Sequence, residues 1–425
     1  MAYRLVDIDV TQSPLKLPVP DGRGGLETSS DYDGTGLLLR DGDRPLSFCL
    51  VPDSGGALTP EAVEQLAVST GGENLLAERL RRALLDRSMG GGHPAPPTRT
   101  APSVTVVVCT RNRPDDLERC LDSIRVAAAE FAGQVDLLVV DNAPPDEATR
   151  EVVARRPDVR YVREPVPGLD VARNKAVSEA RGRWLAFVDD DVRVDRWWLQ
   201  GLAAALEEHP DASALTGLVL PAQLETQAQI RFERGGGFGR GYTQRRWDGR
   251  QGPGGRLHPL GSGVFGAGCN MAFEVSVLRR VGGFDEALDT GPPLPGGGDL
   301  DIFFKVLAAG HTLVYEPRMA VFHRHRRGMD ELQRQYSSWG AGFAAYLAAR
   351  WQEPQERAQI RRMALWWLRY QQRNLLSAAR HADVVGARMV AAELTGGVAG
   401  AVGGYRRSRE RMSQRYAEVR ARGKA

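Results

Sequence analysis

Val104-Thr105-Val106-Val107-Val108-Cys109, followed by Thr110-Arg111-Asn112-Arg113-Pro114, decides the fold. Six apolar or β-branched residues in a row read as a strand buried on both faces, as in a parallel sheet. Pro114 then opens a helical stretch to Ala129, with leucines and an isoleucine on one face. The same alternation continues. Strands are expected at Val135–Val140, Val159–Val162 and Trp184–Val188, and helices at Glu147–Arg155 and Leu169–Arg181. Strand and helix of this length in strict alternation imply right-handed crossovers and a doubly wound, mainly parallel α/β sheet. Ligands in such sheets bind beyond the carboxyl ends of the strands.

Polar residues stand at each of those ends. Thr110, Arg111 and Asn112 follow the first strand, Asp141 and Asn142 the second, and Arg163-Glu164-Pro165 the third. Pro167-Gly168-Leu169-Asp170-Val171-Ala172-Arg173-Asn174 leads into the next helix, and Asp189-Asp190-Asp191 ends the fourth strand. Bases beside acids on one edge suit an anionic ligand and a divalent cation sharing a cleft. Three adjacent carboxylates repel one another without a counter-charge, and hard oxygen donors suit Mg²⁺ or Mn²⁺. A solvated acidic turn or a helix cap is the alternative reading of the triplet alone. No Gly-x-Gly-x-x-Gly and no P-loop lysine follow the first strand, which disfavours a dehydrogenase or a P-loop NTPase.

Outward from this core, Gly90 to Thr98 is a Gly/Pro cluster that reads as a linker. Residues 1–90 form a small α+β module, 91–102 the linker, 103–326 the catalytic domain and 327–425 a helical region with a basic tail. In the N-terminal module, Gly36–Arg40 and Leu46–Val51 are expected as a hairpin turning at Asp41-Gly42-Asp43, followed by a helix from Thr59 to Leu85. Ala222–Pro259 reads as a long acceptor-facing flap and Pro292–Gly298 as a second mobile loop. Helical periodicity returns over Met329–Arg350 and Pro354–Arg380.

The 425 residues are 42% hydrophobic and 26% charged with a net charge of +3, which does not describe a nucleic-acid binder. The four cysteines have neither disulfide-framework nor zinc spacing. No apolar run approaches the ~18 residues needed to span a bilayer, and the N-terminus lacks a signal-peptide pattern. The expectation is a cytoplasmic protein. The arginine-rich tail from Tyr405 is either a solvated helix end or a patch lying on the inner face of an anionic membrane.

The pieces Val-Val-Val-Cys-Thr-Arg-Asn-Arg-Pro, Leu-Val-Val-Asp-Asn, Pro-Gly-Leu-Asp-Val-Ala-Arg-Asn-Lys-Ala and Phe-Val-Asp-Asp-Asp resemble, in this order, glycosyltransferase family 2, inverting enzymes of GT-A fold. Gly266–Phe273, Gly282–Asp285 and Gly297–Asp301 extend the resemblance to about His325. It implies an inverting, metal-dependent transfer of sugar from a nucleotide diphosphate, in most relatives UDP, to a polysaccharide, lipid-linked or small-molecule hydroxyl. Thr110, Arg111 and Asn112 would lie beside the nucleoside and Asp141 would accept from the base. Arg173, Asn174, Asp189 and Asp190 would contact the donor. Asp191 would hold Mn²⁺ or Mg²⁺, with His323 joining it, and Asp299 would be the catalytic base, or Asp301 in its place. One departure stands out: relatives usually carry Glu-Asp where this chain has Gly298-Asp299. A catalytically degenerate, sugar-nucleotide-binding scaffold is therefore the alternative.

Overall fold

A computed structural model describes residues 2–10, 32–53, 59–88, 101–249, 257–291 and 294–422. The N-terminal part is a three-stranded sheet, β1 (Tyr3–Asp9), β2 (Gly34–Asp41) and β3 (Arg44–Pro52), followed by α1 (Pro60–Ser88). The β2–β3 hairpin turns at Gly42, whose φ of +62° suits glycine. β1 escaped the sequence reading because it pairs in parallel with β2, a non-local partner. Residues 89–100, which include most of the expected linker, lie outside the described residues.

The valine run is β4 (Val104–Thr110), followed by α2 (Pro114–Ala129), β5 (Val135–Asn142), α3 (Ala148–Ala154), β6 (Val159–Glu164), α4 (Leu169–Glu179) and β7 (Trp184–Asp189). Every expected strand and helix of this stretch is present. Next come β8 (Val192–Val194), α5 (Trp198–Glu208), β9 (Ala212–Pro221), α6 (Gln227–Arg234), β10 (Arg245–Trp247), β11 (Asn270–Glu274), α7 (Val275–Arg280), α8 (Gly298–Ala308) and β12 (Thr312–His323). The sheet order is β10-β12-β9-β11-β7-β4-β5-β6, with β8 pairing β12. β7, β4, β5 and β6 are mutually parallel, whereas β11 runs antiparallel between β7 and β9. This is a GT-A-like doubly wound fold, its parallel half joined to a mixed half.

Both faces of the sheet are covered, which is why its strands are continuously apolar. On one face Leu117, Leu121 and Ile124 of α2 pack with Trp198 and Leu202 of α5. On the other, Ala172 and Ala176 of α4 pack with Phe273, Phe303 and Val306. Trp198 Nε1 donates to Asn270 Oδ1 at 2.9 Å, and Asn270 Nδ2 donates to the carbonyls of Leu218 and Met319. One buried amide thus pins three strands at the turn into β11.

The expected flap at Ala222–Pro259 is ordered structure over much of its length. Thr226 caps α6 and Gln229 returns the bond to the Thr226 N–H, a capping box legible as Thr-x-x-Gln. Apolar Ala228 and Phe232 then bury one face of α6 under the C-terminal helices. Those helices are α9 (Met329–Arg350), α10 (Arg357–Arg380), α11 (Val384–Ala401) and α12 (Gly404–Arg422). No described helix is long and apolar enough to cross a membrane.

The N-terminal sheet is fastened to the catalytic sheet by charge. Arg40, buried, donates to Asp195 Oδ2 at 2.8 Å and to Asp7 Oδ1 at 2.7 Å. Removing one partner of a buried pair strands the other charge. Arg40→Ala is expected to lower unfolding free energy by about 3–5 kcal/mol, read as a lower midpoint in chemical denaturation. An unchanged midpoint would show that Asp195 finds other compensation.

Candidate active site

β5 carries Asp141 at its carboxyl end, fully buried. Tyr161 donates its hydroxyl proton to Asp141 Oδ2 at 2.8 Å, while Oδ1 has no hydrogen-bond partner. Burial raises the carboxyl above its usual range. Oδ1 is a buried acceptor without a partner, and Asp141 is not among the residues lining the cleft around Arg173 and Asp299. Asn142 does something else: its amide donates to the Val166 carbonyl and accepts from the Gly168 N–H, which shapes the entry to α4.

The acid triplet divides three ways. Asp190 turns inward, accepting from Thr110 Oγ1 at 2.8 Å and from Arg113 Nη1 at 2.9 Å. Thr110 and Asp190, expected on the donor, are therefore committed to each other as a brace behind the loop. Asp189 faces a cleft of about 690 Å³ that Arg173 and Asp299 also line. Asp191 lies 3.5 Å from His323 Nε2. Arg111 and Asn112 are exposed and do not line that cleft; Arg111 lies beside Arg411 and Arg415 of α12. Asn112 adopts φ +55°, which asparagine tolerates better than most residues.

Arg173 is the counter-charge of the whole cluster. Only 4% exposed, it donates to Asp170 Oδ1 at 2.9 Å and lies 3.4 Å from Asp289 and 4.0 Å from Asp189. Arg240, Arg326 and Arg334 line the same cleft, so it presents both cations and carboxylates. Burial pushes Asp170 well above its ordinary range and raises Asp289 as well, with Arg173 opposing both shifts. Asn174, expected on the donor, is turned away from the cleft. It donates to the Phe284 carbonyl and to Glu286 at 3.0 Å each and accepts from the Phe284 N–H at 2.8 Å. Its side chain is spent on the Gly-Gly-Phe-Asp turn and on Glu286 just after it, whose placement it fixes.

The missing acid has a steric explanation. A Cβ on Gly298 would overlap the Asp170 carboxylate and lie 2.6 Å from Asp289 Oδ2. The Gly298 N–H donates to that same Asp289 oxygen at 3.0 Å. The space beside the first turn of α8 is thus already filled by a carboxylate from the preceding loop. Asp299 follows, its Oδ2 accepting from the Gly268 N–H at 3.1 Å. Asp301 sits elsewhere. It is fully buried, 2.8 Å from Lys305 Nζ and 3.2 Å from Arg350 Nε, and it does not line the cleft. Burial between two cations makes Asp301 a tie between α8 and α9, not an alternative base.

His323, at the end of β12, is buried against Phe238. Desolvation, joined by nearby cations, holds its pKa well below the ordinary value, so its ring is neutral. Its Nδ1 lies 3.1 Å from His325 Nδ1, and His325 Nε2 lies 3.1 Å from Glu233 Oε2. With one proton on each ring and that of His325 on Nε2 toward Glu233, His325 Nδ1 accepts from His323 Nδ1. That leaves the lone pair of His323 Nε2 facing Asp191, the form a metal ligand takes. The carboxylate and neutral imidazole fit a divalent ion. Among the described residues, however, no group of three or more His, Cys, Asp or Glu side chains gathers around one point. Any further ligands would come from substrate oxygens and water.

Fold and strand-end acids together define a GT-A protein. Residues 105–282 match the family model of Glycosyl transferase family 2. The Pre-mycofactocin glycosyltransferase of Mycobacterium tuberculosis is 27% identical over 279 residues, 65% of this chain and 53% of that protein. The Succinoglycan biosynthesis protein ExoO of Rhizobium meliloti is 31% identical over 256 residues, 53% of this chain and 62% of that one. The chain thus spans about half the length of the mycobacterial relative. Among solved structures, the mannosyltransferase PcManGT from Pyrobaculum calidifontis, in complex with GDP-Man and Mn²⁺, is 18% identical with a TM-score of 0.47, covering 80% of this chain and 97% of its own.

Asp289, His325 and Glu233 were not assigned from sequence. His325 was visible beside His323, but nothing local marks Glu233 as its partner. Gly298→Glu, which restores the family's acid, is expected to destabilise the protein by about 1–3 kcal/mol or more through overpacking and to lower activity. Thermal melting and turnover check this together, and a more active, equally stable variant would refute the steric account.

Proposed function

We propose that the chain is a metal-dependent, inverting glycosyltransferase that moves a sugar from a nucleotide diphosphate, with a UDP-sugar the leading donor, to an acceptor hydroxyl. The observation that carries this is that Asp189 and Asp299, from opposite halves of the fold, line one cleft with Arg173. Asp141, with its open Oδ1, would accept an N–H of the base. Asp191 and His323 would hold Mn²⁺ or Mg²⁺. The bound ion would stabilise the negative charge developing on the leaving diphosphate.

The rest falls to the chain's own groups. Asp189, raised to about 7 by withdrawal from water with Arg173 opposing, can accept from or donate to donor hydroxyls. Asp299 takes the proton of the acceptor hydroxyl as its oxygen attacks the anomeric carbon from the face opposite the diphosphate. A single base suffices for inversion, with no covalent intermediate. The Gly268 N–H holds the Asp299 carboxylate in place. Phe238, Trp339, Phe343 and Trp367 wall the cleft beyond Asp299, where an acceptor would lie.

Asp299→Asn is expected to reduce turnover by about 10²–10⁴-fold with donor affinity unchanged, measured by UDP release and calorimetry. Loss of donor binding instead, with full activity once saturated, would remove the base role. Replacing Asp191 by alanine is expected to abolish the Mn²⁺ dependence of UDP binding, as EDTA does in the unaltered protein. Metal-dependent affinity that survives the change would place the ion elsewhere.

A further inference from the structure

α10 is two-faced in an unusual sense. Ile360, Met363 and Gln371 are buried, and Trp367 lines the catalytic cleft with its Nε1 donating to Glu393 at 3.3 Å. At 100° per residue the opposite face holds Leu365 and Leu376, flanked by Trp366 and Leu368. All four are exposed, at 53%, 51%, 48% and 52%. Arg362, Arg369 and Arg373 lie among them on the same face and are likewise exposed. The helix carries six arginines and no acid over its 24 residues. Among the described residues, none of Arg361, Arg362, Arg369, Arg373 and Arg380 forms an ion pair.

An apolar strip with tryptophan, embedded in unpaired cations, matches an anionic lipid surface better than water. The arginine-rich tail has less of this character. α12 is docked on the catalytic domain, with Met412 packed against Val166 and Val171 and Arg415 Nη1 donating to the carbonyls of Pro167 and Thr290.

We propose that the exposed face of α10 lies on an anionic bilayer, and that Trp367, on the same helix, sits where a lipid-linked acceptor enters the cleft. The first half stands on α10 alone; the second rests on the transferase reading. The charge term draws the arginine face down and the leucines and Trp366 enter the headgroup boundary. Trp367 is on the opposite side of α10, so the cleft lies one helix diameter, ~10 Å, from the lipid surface, the distance the headgroup of a lipid-anchored acceptor would extend to enter it.

The test is co-sedimentation of the full chain with vesicles of phosphatidylcholine alone or with about 30 mol % phosphatidylglycerol, where polybasic surfaces bind. Binding is expected only to the anionic vesicles. Leu365→Ser with Leu376→Ser should weaken it about 10-fold or more, and Arg362→Glu with Arg369→Glu at least about 30-fold. Melting curves unchanged from the parent protein keep a folding defect apart from a binding one. No binding to anionic vesicles, or binding indifferent to both pairs, overturns the proposal. So does a dimer in sedimentation velocity without lipid that either pair dissociates, because the face would then belong to a second copy. UDP release from UDP-sugar and Mn²⁺ separates the two readings: it should be equal in parent and variants. Vesicle binding without any UDP release would leave the docking face standing and remove the acceptor half.

Discussion

Arg173 meets Asp170 and Asp289 inside the protein and reaches toward Asp189 and Asp299, and the geometry of the cleft depends on that one guanidinium. Desolvating a carboxylate is expensive, and several within a few ångströms repel one another as well. A planar guanidinium with five donors can serve several acceptors at once, which a lysine cannot do in a fixed geometry. With Arg173 in place, α4, the loop before α8 and the end of β7 are drawn to a common point. Arg240, Arg326 and Arg334 line the same cleft, so it can meet an anionic ligand as well as a cation or hydroxyl donors. The same constraint accounts for Gly298. Asp170 and Asp289 occupy the volume in which a side chain at that position would stand.

The three consecutive acids at the end of β7 show how a strand distributes function. β7 ends at Asp189, which lines the cleft toward Arg173, and the chain turns at Asp190 and Asp191. Arg113 reaches both of those turn residues, Asp190 also accepting from Thr110 and Asp191 lying beside His323. A brace and two functional carboxylates come from one short run. The histidine pair repeats the logic on β12. Glu233 on α6 lies against His325, His325 against His323, and His323 Nε2 faces Asp191 at 3.5 Å. α6 is therefore part of the site's support, although its residues lie far from any strand end in sequence.

The C-terminal helices close the structure around the cleft. Tyr405 donates to Asp285 and Tyr416 to Glu286, while Arg415 holds the carbonyls that bracket the entry to α4. α12 thereby steadies the Gly-Gly-Phe-Asp turn from outside as Asn174 does from inside. α9 and α10 contribute the aromatic wall.

The sequence by itself determined the parallel half of the sheet. The apolar runs beginning at Val104, Leu137 and Trp184 are satisfied by burial on both faces, and polar or acidic residues mark where each run stops. The positions of Asp141, Asp189, Asp191 and Asp299 were readable for the same reason, since strand ends and a helix start are local features. Other assignments depended on contacts between segments 49 to 128 residues apart: Asn174 with Phe284, Asp301 with Arg350, Glu233 with His325, Gly298 with Asp170. A side chain's type limits what it can bond. Which partner it meets is settled only when distant segments pack, because burial forces each polar group to take the acceptor or donor that the fold brings within reach.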